Sequence, residues 1–176
     1  MSSAKNFNFM LKIVSIAVCL VLLYPLAAGA QQKMNDKKLE KALRKEGIQL
    51  EGERGSWLAY QGERVLLVLT DEPNNRMRIF TPIVAEREIG ATQMERMLHA
   101  NFHSALDAKY SIYEGYVVSV FTHPLRELTT PQLLDALQQV VNLAETFGTT
   151  YSSTDLIFGG EEEEEDQKEP AREKRS

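Results

Sequence analysis

Cysteine is nearly absent from this sequence: the 176 residues contain one, Cys19. It lies in an apolar run near the N-terminus, so no intrachain disulfide can brace the fold and stability has to come from a packed core. Three histidines are equally few for catalysis, and no Gly-x-Ser-x-Gly elbow is present to seat a nucleophile. Nor is there a phosphate cradle. Gly52 and Gly55 sit in Glu51-Gly52-Glu53-Arg54-Gly55-Ser56, where adjacent carboxylates repel an anion and no glycine-lysine pair follows, so the stretch reads as a solvated turn. Cations are in the minority, 20 Lys and Arg against 25 Asp and Glu, and the net charge of -5 speaks against a nucleic-acid binder. The longest strongly apolar run, Ile13 to Leu23, is about half the roughly 20 residues that a spanning helix requires.

What is present is one domain's worth of chain, 43% hydrophobic and 26% charged. Lys5 and Lys12, the apolar run after them and Ala28-Gly29-Ala30 have the layout of an export signal cleaved after Ala30. The expected organisation is a signal peptide over 1–30, a domain over 31–158 and an acidic tail over 159–176. It places the mature protein in the periplasm or outside the cell, with no membrane span once the signal is gone. Glu161 to Asp166 is an unbroken acidic run that repels itself and cannot form a core.

Within the domain, Met34 to Glu46 has helical spacing, with Leu39, Ala42 and Leu43 on one side and Gly47 at its end. Three strands are expected at Ser56–Tyr60, Arg64–Thr70 and Arg76–Ala85, separated by Gln61-Gly62 and Pro73-Asn74-Asn75. Val65 to Leu69 is apolar without alternation and predicts a strand covered on both faces. Pro82 predicts an edge strand or a bend. A capping box at Thr92 and Glu95 opens a second helix that continues to about Ala108, with Met94, Met97, Leu98, Phe102, Ala105 and Leu106 as its apolar stripe. Tyr110–Tyr113 and Tyr116–Thr122 form a hairpin around Glu114-Gly115. Thr130-Pro131 begins a third helix, buried through Leu133, Leu134, Leu137, Val140, Val141, Ala144 and Phe147. The fold class is α+β: helix, three antiparallel strands, helix, β-hairpin and helix around one bent antiparallel sheet.

From about Lys37 to Tyr151 the chain resembles the type III secretion chaperone-like fold, shared by the Tir chaperone family and a family of bacterial sensory transduction regulators. The resemblance is carried by Lys38-Leu39-Glu40-Lys41-Ala42-Leu43, Met97-Leu98-His99-Ala100-Asn101-Phe102, Tyr113-Glu114-Gly115-Tyr116-Val117-Val118 and Thr130-Pro131-Gln132-Leu133. It implies a domain that binds another polypeptide, performs no chemistry, needs no cofactor and commonly dimerises with the second helix taking part. Those chaperones work in the cytoplasm, whereas the leader points to export, which argues against loading a type III apparatus directly.

Two residue sets remain as candidate sites. Glu95, His99, His103 and Asp107 recur every four residues and fall on one stripe of the second helix, a weak candidate metal site. The plainer reading is a polar helix flank, because Ala100-Asn101-Phe102 lacks the glutamate that zinc enzymes place beside the first histidine. Trp57, Tyr110, Tyr113 and Tyr116 are strand aromatics, and alternation turns at least one tyrosine away from the helices, where it suits a peptide added at the sheet edge. The leading expectation is therefore an exported, non-enzymatic, chaperone-like module holding a partner polypeptide or a second copy of itself. The alternatives are an envelope sensory or regulatory component and a metal-dependent enzyme using Glu95, His99 and His103.

Overall fold

Short-range chemistry sets the element boundaries in the computed structural model, which describes residues 33–154. The first helix, α1 (Asp36–Lys45), starts where the Asn35 side chain accepts the Lys38 amide at 2.9 Å, and its last turn carries Arg44 and Lys45 against the negative helix end. Then come β1 (Gln49–Glu53), β2 (Ser56–Gln61), β3 (Arg64–Asp71), β4 (Arg76–Ala85), α2 (Ala91–His103), β5 (Lys109–Tyr113), β6 (Tyr116–His123) and α3 (Thr130–Glu145), with single 3-10 turns at Glu86–Glu88 and Leu125–Glu127. Thr129 caps α3 in a reciprocal box: its hydroxyl accepts the Gln132 amide at 3.2 Å and the Gln132 side chain accepts the Thr129 amide at 2.9 Å. Pro131 falls at the second helical position, where its missing amide costs nothing.

The strands form one antiparallel sheet in the order β1-β2-β3-β4-β6-β5. The α+β class expected from sequence is what the chain adopts, with β1 as an additional strand. The leader, the acidic run and the boundaries drawn at 30 and 158 lie outside the described residues. Among the described residues, no helix is long and apolar enough to cross a membrane.

Side-chain alternation divides the sheet. One face contributes Leu50, Trp57, Ala59, Leu66, Val68, Met77, Ile79, Val117 and Phe121 to a core closed by Leu39 and Leu43 of α1 and by Leu133, Leu137 and Val140 of α3. β3 corrects an expectation here: Leu66 and Val68 are buried, but Val65 is exposed and Leu67 and Leu69 are only half-buried, so this apolar strand is covered on one face. Nor is β4 an edge. It lies between β3 and β6, and the register shift between Pro82 and Val84 makes the proline a bend within the sheet.

The second helix departs most from expectation. Its N-cap is Gly90, whose amide is accepted by the Gln93 side chain at 3.3 Å, so Thr92 and Glu95 do not form the cap. It also ends at His103, not near Ala108. The Ala105 amide reaches back to the Ala100 carbonyl at 2.8 Å, and the Ser104 carbonyl accepts the Ser153 amide at 3.1 Å, which turns the chain out of the helix.

Candidate functional site

The metal candidate comes apart with that helix end. Asp107 lies beyond α2, Glu95 Oε1 and His99 Nε2 are 4.0 Å apart on the exposed surface, and the His99 and His103 rings stack at 6.5 Å. Among the described residues no group of three or more His, Cys, Asp or Glu is placed to hold a metal. The stripe is a polar helix flank.

Of the four aromatics, two leave the candidate surface. Trp57 is 2% exposed and packs in the core. Tyr110 is buried as well: its hydroxyl donates to the Leu143 carbonyl at 2.8 Å, and its ring meets Phe147 and Tyr151 edge-on, each at 5.9 Å. Burial, with the neighbouring tyrosine adding to it, drives this phenol's pKa far above the ordinary value of 10.0. Asn101 of α2 also grips the Tyr110 backbone, its side-chain oxygen accepting the amide at 2.7 Å and its nitrogen donating to the carbonyl at 3.1 Å. At Tyr110, therefore, the β5 edge is already occupied by a side-chain amide and is closed to an added strand.

Tyr113 and Tyr116 remain on the surface, each about half exposed. They are cross-strand partners at the tip of the β5–β6 hairpin. Glu114 (φ 48°) and Gly115 (φ 78°) supply the two left-handed residues of a tight hairpin turn, which sets the two rings opposite one another. The Tyr113 ring stands edge-on to Phe80 at 5.5 Å, and the Glu114 carboxylate, hydrogen-bonded to the Tyr113 hydroxyl, holds that phenol above its ordinary range.

Register carries these rings into a larger apolar surface. Leu58, Leu67, Phe80 and Val120 form one row across the sheet, and Val65 and Val118 belong to the next row on the same face. This is the face turned away from α1 and α3. Phe80 and Val118 are buried among their neighbours on it, whereas Leu58 and Val65 are 38% and 37% exposed. Arg76 and Arg78 are its exposed cations on β4. Sequence reasoning missed the surface because it read the aliphatic β3 as covered twice; the signal available was that only three helices were predicted for a wide sheet.

A second apolar surface lies on α2. Met97 and Ala100 face the core, while Leu98 is 65% and Phe102 80% exposed, one helical turn apart. At the start of the same helix is an open, mostly polar groove of about 660 Å³ between the end of β4 and the hairpin tip, lined by Glu86, Arg87, Ile89, Met94, Glu114 and Tyr116. The Glu86 amide donates to the Gly115 carbonyl at 2.8 Å and ties the groove's two walls together.

The sequence model of the Tir chaperone protein (CesT) family matches residues 29–147. No curated protein matches the chain in sequence. Among solved structures, the HopA1–SchA chaperone–effector complex shares 14% identity over 62% of this chain and 88% of that chain, with a TM-score of 0.50. The Yersinia pestis type III secretion chaperone SycH, solved with a stable fragment of YscM2, shares 15% identity over 64% of this chain and 98% of that chain, with a TM-score of 0.51. At these identities the likeness is one of fold. The family match overturns the periplasmic or secreted location expected from the leader, because members of that family hold their clients inside the bacterial cell. The envelope setting of the sensory alternative is withdrawn with it.

Proposed function

We propose, because the chain belongs to the Tir chaperone protein family, that it is a binding module which holds a polypeptide client on the open sheet face and pairs with a second copy through α2. The observation that carries the reading is the exposed apolar set of Leu58, Val65, Tyr113 and Tyr116 on the sheet face opposite the core, around the half-buried Leu67 and Val120. Exposed apolar surface of this kind gains roughly 25 cal/mol for each Å² removed from water, so an extended client lying across the strands supplies the missing cover. Both solved relatives were captured with another polypeptide, which supports the same reading. The module needs no nucleophile, cofactor or metal for this work.

The proposal is tested by placing a photoreactive residue at Val65 or Tyr113 on the open face, and at Gln138 on the outer surface of α3, and mapping the crosslinks to a co-purifying polypeptide. Crosslinks are expected from the first two positions and not from the third. Val65→Glu should weaken capture by about tenfold or more while leaving the melting temperature nearly unchanged, since the side chain is exposed. A client that crosslinks only at Gln138 would remove the sheet face from the reading.

A further inference from the structure

We infer that the exposed apolar stripe of α2 is covered, in a single copy, by the chain's own Leu156-Ile157-Phe158, which folds back along the helix with Leu156 over Phe102 and Phe158 over Leu98. Where the described chain stops carries this inference. After α3 the segment from Thr146 to Ser153 returns to the C-terminal end of α2 and is fastened there. Tyr151 is buried, its ring edge-on to Tyr110 at 5.9 Å and to Phe147 at 5.6 Å. The Ser104 hydroxyl donates to the Tyr151 carbonyl at 2.7 Å, and the Ser104 carbonyl accepts the Ser153 amide at 3.1 Å. Asn142 of α3 holds the same point from the other side, its side chain donating to the Ser153 carbonyl at 3.1 Å. The chain is thus delivered to Ser104, two residues from Phe102, just before its next apolar residues arrive.

Length, spacing and composition fit this occupant. Leu156 and Phe158 follow Thr154 by two and four residues, so on an extended path they reach about 7 Å and about 13 Å beyond it. On such a path alternate side chains point the same way about 6.6 Å apart, close to the rise of about 6 Å along the helix between Phe102 and Leu98. Two side chains of the segment therefore match the two exposed ones of α2, and Ile157 turns outward between them. The apolar stretch ends there, because Gly159-Gly160 and the acidic run from Glu161 have nothing to bury. The chain's own core offers no other cover, since Met97 and Ala100 on the opposite side of α2 are what it holds. The consequence for assembly rests on the reading that α2 pairs two copies: the segment and a second copy compete for Leu98 and Phe102, so pairing requires the segment to lift.

Crosslinking in the full chain tests the cover. In a Cys19→Ser background, Leu156→Cys with Phe102→Cys, and Phe158→Cys with Leu98→Cys, should each close a disulfide within one copy on mild oxidation, at a rate independent of protein concentration, since the paired Cα atoms come within about 7 Å. Leu156→Cys with Asp107→Cys should not, although Asp107 is exposed and also close in sequence to Ser104. Absence of the first two bonds, or bonds between copies only, overturns the inference and leaves pairing through α2 intact. A bond in all three pairs overturns it as well, because the segment then has no fixed seat. Leu156→Asp with Phe158→Asp lifts the cover and keeps both α2 side chains, so the Kd for self-association measured by sedimentation should fall roughly tenfold, as expected when a competent fraction of about one tenth becomes the whole. If the single-copy bonds form and that Kd does not move, the cover stands and pairing through α2 is the reading that fails.

Discussion

Gln139 shows how much one buried polar side chain can join. It is 3% exposed on α3, its oxygen accepts the amides of Asp107 at 3.0 Å and Ala108 at 3.2 Å, and its nitrogen donates to Asp135 at 2.7 Å. One amide thus fixes the path from α2 into β5. Gln139→Leu keeps the bulk but leaves the buried Ala108 amide without a partner, a loss expected to cost about 1–3 kcal/mol in urea unfolding. Tyr110 makes a prediction in pH. Burial raises its pKa above the unfolded value of 10.0, so between those two values the unfolded chain sheds a proton that the folded chain keeps. Its contribution to stability is complete below pH 10.0 and falls as pH rises beyond it. Stability of the wild type should therefore decline more steeply above that pH than stability of Tyr110→Phe, as measured by denaturant melts across the alkaline range.

Among the elements, α3 is the main support of the core. Leu137 is 1% exposed, and Leu137→Ala should cost about 2–5 kcal/mol in denaturant melts. This helix was legible in sequence because capping chemistry and apolar spacing agree over its whole length. The strands β2 to β6 were legible for a similar reason, each being bounded by turn residues. β1 was not: Gln49-Leu50-Glu51-Gly52-Glu53 has one buried side chain, Leu50, and Gly52 at φ 110° reads as a turn. That glycine is required there, since an added Cβ would lie 2.5 Å from the Ser56 carbonyl oxygen. In α2 the periodicity was visible but its meaning was not. Spacing reports that Leu98 and Phe102 share a face, and it is blind to whether that face meets the chain's own core or something else. The same limit concealed the open side of β3. Tyr113 and Tyr116 could be placed opposite each other from the hairpin signal, whereas Trp57 and Tyr110 needed the sheet register before their burial was apparent.

For the whole molecule, the distribution of apolar surface matters more than the net charge of -5. The two faces offered for binding are aliphatic and aromatic at their centres, with charges such as Arg76, Arg78, Glu86 and Glu114 on or around them. Client capture carried by the open sheet face should accordingly change by less than about threefold between low and high salt, because screening acts on charges and leaves apolar burial in place. Affinity measurements across ionic strength check this. A steep fall with salt would transfer the binding to the charged residues. The grip of Asn101 on Tyr110 has a consequence at this scale. A sheet whose two edge strands, here β1 and β5, were both open would be a natural unit for an endless ribbon, in which the last strand of each molecule docks against the first strand of the next. Such polymerisation needs both ends of every unit to be receptive. With the Tyr110 amide and carbonyl already held by Asn101, a strand arriving at the β5 edge finds those two groups taken, which works against growth of such a ribbon and favours a finite complex.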